Sequence, residues 1–143
     1  MSFGTFYEVA DSIATEFEGK SSKSDWYEVL GKIDIESFPS FDAFESITGW
    51  EYSLQELGEP LSKLFAGDLS AKRNEYDDPD VVFLSSDSVK EIYFEFINKG
   101  RDQFEQLLSA KGCQPDIWLF EPLVEFLKSV VEGKKSMVVL WGG

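Results

Sequence analysis

Histidine is absent from the 143-residue sequence. That excludes Ser-His-Asp and Cys-His catalysis, imidazole metal sites and histidine pH switches. Cysteine occurs once, as Cys113, so neither an internal disulfide nor a multi-cysteine zinc site can form. A lone thiol with no imidazole to activate it reads as a spectator. Basic residues are scarce: 13 in all, of which only Arg73 and Arg101 are arginines. A positive groove for phosphates is therefore not available, and nucleic acid and anionic membranes are excluded as expected partners. No window approaches the roughly 18–20 apolar residues of a membrane span. The opening MSFGTFYEVADSIATEF has no Lys or Arg and already contains Glu8, Asp11 and Glu16, which does not fit a signal peptide. The expected location is a reducing cytoplasm, in keeping with a single free thiol. Walker and dinucleotide-binding fingerprints are missing too, and no cofactor is implied.

What the chain does hold is apolar and acidic. Hydrophobic residues make up 43% and aromatics 15%, enough for a core, and the length suits one domain over 1–143. Acids outnumber bases 27 to 13, for a net charge of −14. The excess is uneven: residues 1–100 carry −13 and residues 101–143 only −1. The C-terminal part reads as neutral scaffold and the rest as the face turned to a partner. The alternative is that the charge serves solubility alone.

Periodicity supplies the elements. FGTFYEV (3–9) alternates and is rich in β-formers, which predicts a strand. Asp11 is placed to cap a short helix carrying Ile13, Ala14 and Phe17, stopped at Gly19. Trp26, Val29, Leu30 and Ile33 share one helical face. Pro60 suits the first turn of a helix holding Leu61, Leu64 and Phe65. DLSAKRNEYDDPD (68–80) reads as an exposed, charged loop and VVFL (81–84) as a short buried strand. Val89, Ile92, Tyr93, Phe96 and Ile97 form a core-facing stripe that continues through Phe104, Leu107 and Leu108, with a bend at Gly100. Ser88 and Glu91 have capping-box spacing, with Ser86 or Asp87 as alternative caps. Leu119, Leu123, Val124, Leu127, Val130 and Val131 mark a last helix, and SMVVLW (136–141) a strand apolar enough to be central. The order predicts an α+β fold: a small sheet of about three strands packed with several α-helices.

Residues 34–52 resist this reading. Phe38, Phe41, Phe44, Trp50 and Tyr52 alternate with Asp34, Glu36, Asp42, Glu45 and Glu51, and Pro39 and Gly49 interrupt any long element. Most of these rings are expected in the core. Two or three left outside among the carboxylates would make anchors within a charged rim, the arrangement of a tight protein interface. The expected partner-binding residues are Asp34, Glu36, Phe41, Asp42, Phe44 and Glu45, with Glu75, Tyr76, Asp77 and Asp78 as a second patch. The expected partner is a basic protein, since an acidic surface is steered towards a cationic cleft. Nuclease toxins, which bind phosphates, carry such clefts, so a cognate toxin is the leading expectation. Another protein-interaction or regulatory module fits the same features. A carboxylate-based hydrolase requires a deep pocket holding two or more acids with a raised pKa. Glu75, Asp77, Asp78 and Asp80 form the nearest approach to a Ca²⁺ or Mg²⁺ set, but the EF-hand pattern is absent and Pro79 favours an ordinary turn.

Three stretches carry a family resemblance: MSFGTFYEV with its strand glycine, DPDVVFLSSDSVKEIYFEF as strand, cap and helix, and LVEFLKSVVEGKKSMVVLWGG as helix, glycine turn and strand. Together they cover about half the chain and resemble the YfbM-like family of small bacterial α+β proteins of unassigned function. The family's tryptophan–leucine–histidine helix and threonine-glycine pair have loose counterparts near Trp26 and at ITGW (47–50), without the histidine. The resemblance therefore implies a fold and no catalytic residues. It also implies a possible use as an immunity protein, because such proteins are sometimes encoded beside polymorphic toxins.

Overall fold

A computed structural model describes residues 2–73 and 79–142. The order is β1 (Phe3–Val9), α1 (Ala14–Phe17), α2 (Lys23–Lys32), β2 (Ser40–Asp42), α3 (Trp50–Leu57), α4 (Lys63–Ala66), β3 (Leu69–Ser70), β4 (Asp80–Leu84), α5 (Ser86–Ala110), α6 (Phe120–Glu132) and β5 (Ser136–Gly142). Short 3-10 turns at Asp11–Ile13, Ile35–Ser37, Phe44–Ile47 and Ile117–Leu119 join several of these. The strands make one sheet in the order β2-β1-β5-β4-β3, with every neighbouring pair antiparallel. The three expected strands are its middle, and β5 lies at its centre as its apolar run implied. Among the described residues the sheet has five strands rather than three, because β2 and β3 flank it as its outermost strands. At three and two residues they are too short to show a period-2 pattern. The 68–80 stretch is accordingly not all exposed loop: it contains β3 and the buried Ala71.

Strand alternation sends side chains to two faces. Phe6, Val82, Leu84, Met137, Val139 and Trp141 face α3, α4, α5 and α6 in the larger core. Val9, Val81, Phe83 and Val138 face the other way, where Phe17 of α1 and Trp26, Val29 and Leu30 of α2 cover them. The helices thus sandwich the sheet.

Local chemistry departs from expectation at several helix starts. Asp11 caps nothing; its carboxylate accepts the Ser136 hydroxyl instead, pinning the end of β1 to the start of β5. Pro60 lies in the turn ahead of α4 rather than in its first turn, and its peptide bond with Glu59 is cis. The cap of α5 is Ser85, whose hydroxyl accepts the Ser88 N–H, so the Ser88–Glu91 box is displaced by three residues. Gly100 does interrupt α5, with φ 70° and ψ 166°. The second half returns Phe104 onto Phe96 with a ring separation of 5.6 Å. Ile97, expected in the stripe, is passed by and stays 50% exposed.

Candidate protein-binding surface

Residues 34–47 wrap the β2 edge of the sheet. Asp34 follows α2 in left-handed backbone (φ 54°), and its carbonyl accepts the Ser37 N–H at 2.9 Å and hydroxyl at 2.7 Å. Ile35 is buried beneath α2, which leaves Asp34 and Glu36 outside. Phe38 is half-buried on that same core. Phe41 goes to the opposite face, where its ring lies 6.0 Å from Phe6 and 6.0 Å from Phe126. Asp42 is exposed, and its Oδ1 accepts the Phe44 N–H at 2.9 Å. That bond stabilises the left-handed backbone of Phe44 (φ 50°), whose ring is 68% exposed. Glu45 beside it is exposed as well.

Two further rings are exposed. Tyr52, on α3, is 60% exposed. Trp118, in the 3-10 turn before α6, is 52% exposed, and its Nε1 donates to Ser46 Oγ at 3.0 Å. The turn that carries Phe44 is thereby tied to the start of α6. Trp50 of the same acidic segment is fully buried, stacked 5.5 Å from Phe104, with Nε1 donating to the Asp116 carbonyl at 3.1 Å. The five rings of 34–52 therefore divide: Trp50 is core, Phe38 and Phe41 are half-buried, and Phe44 and Tyr52 are outside.

The six residues expected from segment 34–45 all follow this one sheet edge. Asp34 and Glu36 lie on the α2 side, Phe41 packs towards α6, and Asp42, Phe44 and Glu45 cross between them. The second expected patch, Glu75, Tyr76, Asp77 and Asp78, falls outside the described residues. Tyr7 reports the local charge. Burial first, then the nearby Glu36 and Asp42 carboxylates, push its hydroxyl above the usual tyrosine range, against a hydrogen bond with Thr5.

Trp118 was not legible as a site residue. It stands immediately before Leu119, the first residue of the α6 core stripe, and its offset from that stripe is the one available signal. A second cluster also escaped. Glu51 Oε1 accepts Trp141 Nε1 at 3.2 Å while its Oε2 accepts Arg73 at 2.5 Å. The Arg73 guanidinium lies 5.1 Å from the Trp141 ring and donates to the Phe65 carbonyl at 2.6 Å. These residues are far apart in sequence, and every polar group named is engaged within the fold.

Among the described residues, the carboxylates line open clefts rather than converging on one deep pocket. An open cleft of about 410 Å³ between α1 and α2 mixes Glu16, Asp25 and Glu28 with Lys20 and Lys32. Lys32 sits 3.4 Å from Glu16 within it. At the start of α5, Asp68 accepts the Ser85 N–H at 2.8 Å and the Ser88 hydroxyl at 2.9 Å. Burial opposes its charge, but these bonds and Lys63 outweigh it and hold its pKa below the usual aspartate range. A general acid needs the opposite shift. Asp80 pairs with Lys23 at 3.0 Å, and among the described residues no three His, Cys, Asp or Glu side chains gather in a set able to hold a metal ion. No described helix is long and apolar enough to cross a membrane. Cys113 is buried.

No protein-family model matches the sequence, and no curated protein matches it. A solved structure does: the crystal structure of YfbM from Escherichia coli, a protein of unknown function. It superposes with a TM-score of 0.64 at 12% identity, over 97% of this chain and 99% of that one. The chain thus has the fold that its resemblance to the YfbM-like family implied, over nearly its whole length.

Proposed function

We propose that this chain is a non-catalytic acidic binding protein that docks onto a cationic protein, with a nuclease-type toxin as the leading partner and toxin neutralisation as its role. The observation that supports this most is the exposure of Phe44, Tyr52 and Trp118, at 68%, 60% and 52%. Large rings left in water are costly unless something covers them, and aromatic anchors carry much of the energy of protein interfaces. Asp42 and Glu45 flank Phe44 in the chain with negative charge, and Glu45 adjoins the Ser46 that Trp118 bonds. In this reading the rings supply affinity and the carboxylates supply speed and selectivity for a positive surface.

The test is co-expression with a nuclease toxin encoded beside this gene. Growth rescue, with a complex in gel filtration that weakens as salt rises, is the expected result. A complex without rescue moves the protein to another interaction or regulatory role. Absence of a complex, or binding indifferent to salt, removes the electrostatic mechanism.

A further inference from the structure

Among the described residues, β2 has a neighbouring strand on one side only. In its register with β1, Thr5 faces Asp42, Phe6 faces Phe41 and Tyr7 faces Ser40. Ala43 N donates to the Gly4 carbonyl and Glu8 N to the Pro39 carbonyl, both at 2.8 Å. Bonds at those places make the Thr5–Asp42 and Tyr7–Ser40 pairs the non-hydrogen-bonded ones. The N–H and C=O groups of Ser40 and Asp42 therefore point away from β1, along the open edge. Both residues are exposed.

The side chains of this edge alternate in chemistry as well as in direction. Ser40 and Asp42 project to the face that holds Tyr7, near Glu36. Phe41 projects to the other face, against Phe126 at 6.0 Å. A chain laid along β2 would alternate in the same way. Its residues beside Ser40 and Asp42 would meet carboxylates, and the residue beside Phe41 would meet aromatic carbon.

We propose that β2 accepts a short extended segment of the partner as a sixth strand, with basic residues beside Ser40 and Asp42 and an apolar residue beside Phe41. This rests on the reading of the chain as a binder of a cationic protein, and adds how the partner's backbone is held. Main-chain bonds to the edge give affinity, and the alternating side chains give selectivity. A second copy of this chain is the wrong occupant: antiparallel pairing of β2 with β2 about Phe41 would put Asp42 beside the copy's Ser40, with no basic residue on either strand to answer its charge. The three-residue length of β2 limits the added strand to a few residues.

The probe is the peptide acetyl-KVKVK-amide, titrated into the isotopically labelled protein and read by NMR and amide hydrogen exchange. The Ser40 and Asp42 amides should shift and become protected, while the Phe41 amide, already bonded to β1, changes little. Acetyl-EVEVE-amide, and KVKVK N-methylated at its lysines, should each bind at least roughly tenfold more weakly. Ser40→Pro, which deletes one outward N–H, should weaken binding roughly five- to tenfold. Equal binding of the N-methylated peptide, or no protection of Ser40 and Asp42 at millimolar peptide, overturns the proposal. If a cationic partner still binds in a salt-dependent way and is lost with Trp118→Ala, strand addition alone has failed. If no cationic partner binds, the broader reading has failed with it.

Discussion

Trp118 Nε1 donates to Ser46 Oγ at 3.0 Å, across 72 positions of sequence, and fixes the Phe44 turn against the start of α6. The bond is exposed, so its net contribution to folding is about 0.5–1 kcal/mol. The indole itself is half in water and adds little to the core. Trp118→Ala and Phe44→Ala should therefore lower Tm only slightly. In the binding reading each should weaken the partner complex by roughly 10–100-fold. Calorimetry of the complex, beside thermal melts of the free variants, checks both halves. Trp118→Phe keeps a ring but loses the donor, and its affinity should fall between wild type and Trp118→Ala.

Gly4 sets the position of that same turn from the other side. A Cβ built on Gly4 would lie 2.6 Å from Ile47 Cγ1 and 3.0 Å from its Cδ1. Ile47 is buried and ends the 3-10 turn that begins at Phe44. Gly4→Ala should force Ile47 outward, costing about 1–3 kcal/mol, and should also disturb the Phe44 surface. Ile47→Ala removes the clashing atoms at the expense of a cavity, about 2–4 kcal/mol. The double variant should be clearly less destabilised than the sum of the two. Urea denaturation of all four proteins measures that coupling.

Long, regular patterns were readable from the sequence and short, irregular ones were not. FGTFYEV and SMVVLW alternate or run apolar over enough residues to declare strands. The α6 stripe repeats over three turns. β2, with three residues between Pro39 and a turn, has no period to detect; only tertiary pairing with β1 makes it a strand. The α5 cap was blurred because Ser85, Ser86, Asp87 and Ser88 are all good caps, and Asp68, 17 residues earlier, selects Ser85 by holding its N–H. The candidate surface shows the same limit. Phe41 and Phe44 are identical residues three positions apart, one packed and one exposed. The strand parity of Phe41 and the Asp42 bond to Phe44 decide this, and composition does not.

Asp68 should make stability depend on pH in the acid range. Its folded pKa lies below the unfolded value, so its contribution is complete above the ordinary aspartate pKa of about 3.9. As pH falls through and below that value the unfolded chain takes up the proton first, and the contribution is lost. Asp68→Asn keeps one acceptor but loses the charge and one of the two bonds to the α5 cap. It should cost about 1–2 kcal/mol at pH 7. It should also flatten the difference between urea midpoints at pH 7 and pH 3. An unchanged pH slope would mean that the Ser85 and Ser88 bonds do not favour the ionised form.

Lys23 and Asp80 join α2 to the first residue of β4 with an ion pair at 3.0 Å. The lysine side chain is only 5% exposed and the aspartate side chain 25%, so the charges are unequally hydrated. Removing one partner from a buried pair leaves the other charge without its counter-ion, which typically costs 3–5 kcal/mol. Lys23→Met should fall near about 3 kcal/mol, because Asp80 retains some contact with water. Asp80→Asn should be destabilising as well, since the nearly buried ammonium loses the carboxylate 3.0 Å away. The double change removes both desolvation costs and should recover at least half of the loss, a result measurable as a double-mutant cycle in guanidinium denaturation. Additive losses would mean that each residue acts through packing rather than through the other's charge. Asp80 thus differs from the exposed carboxylates beside β2: its loss should be read in folding, whereas loss of Asp42 or Glu36 should be read in the partner complex.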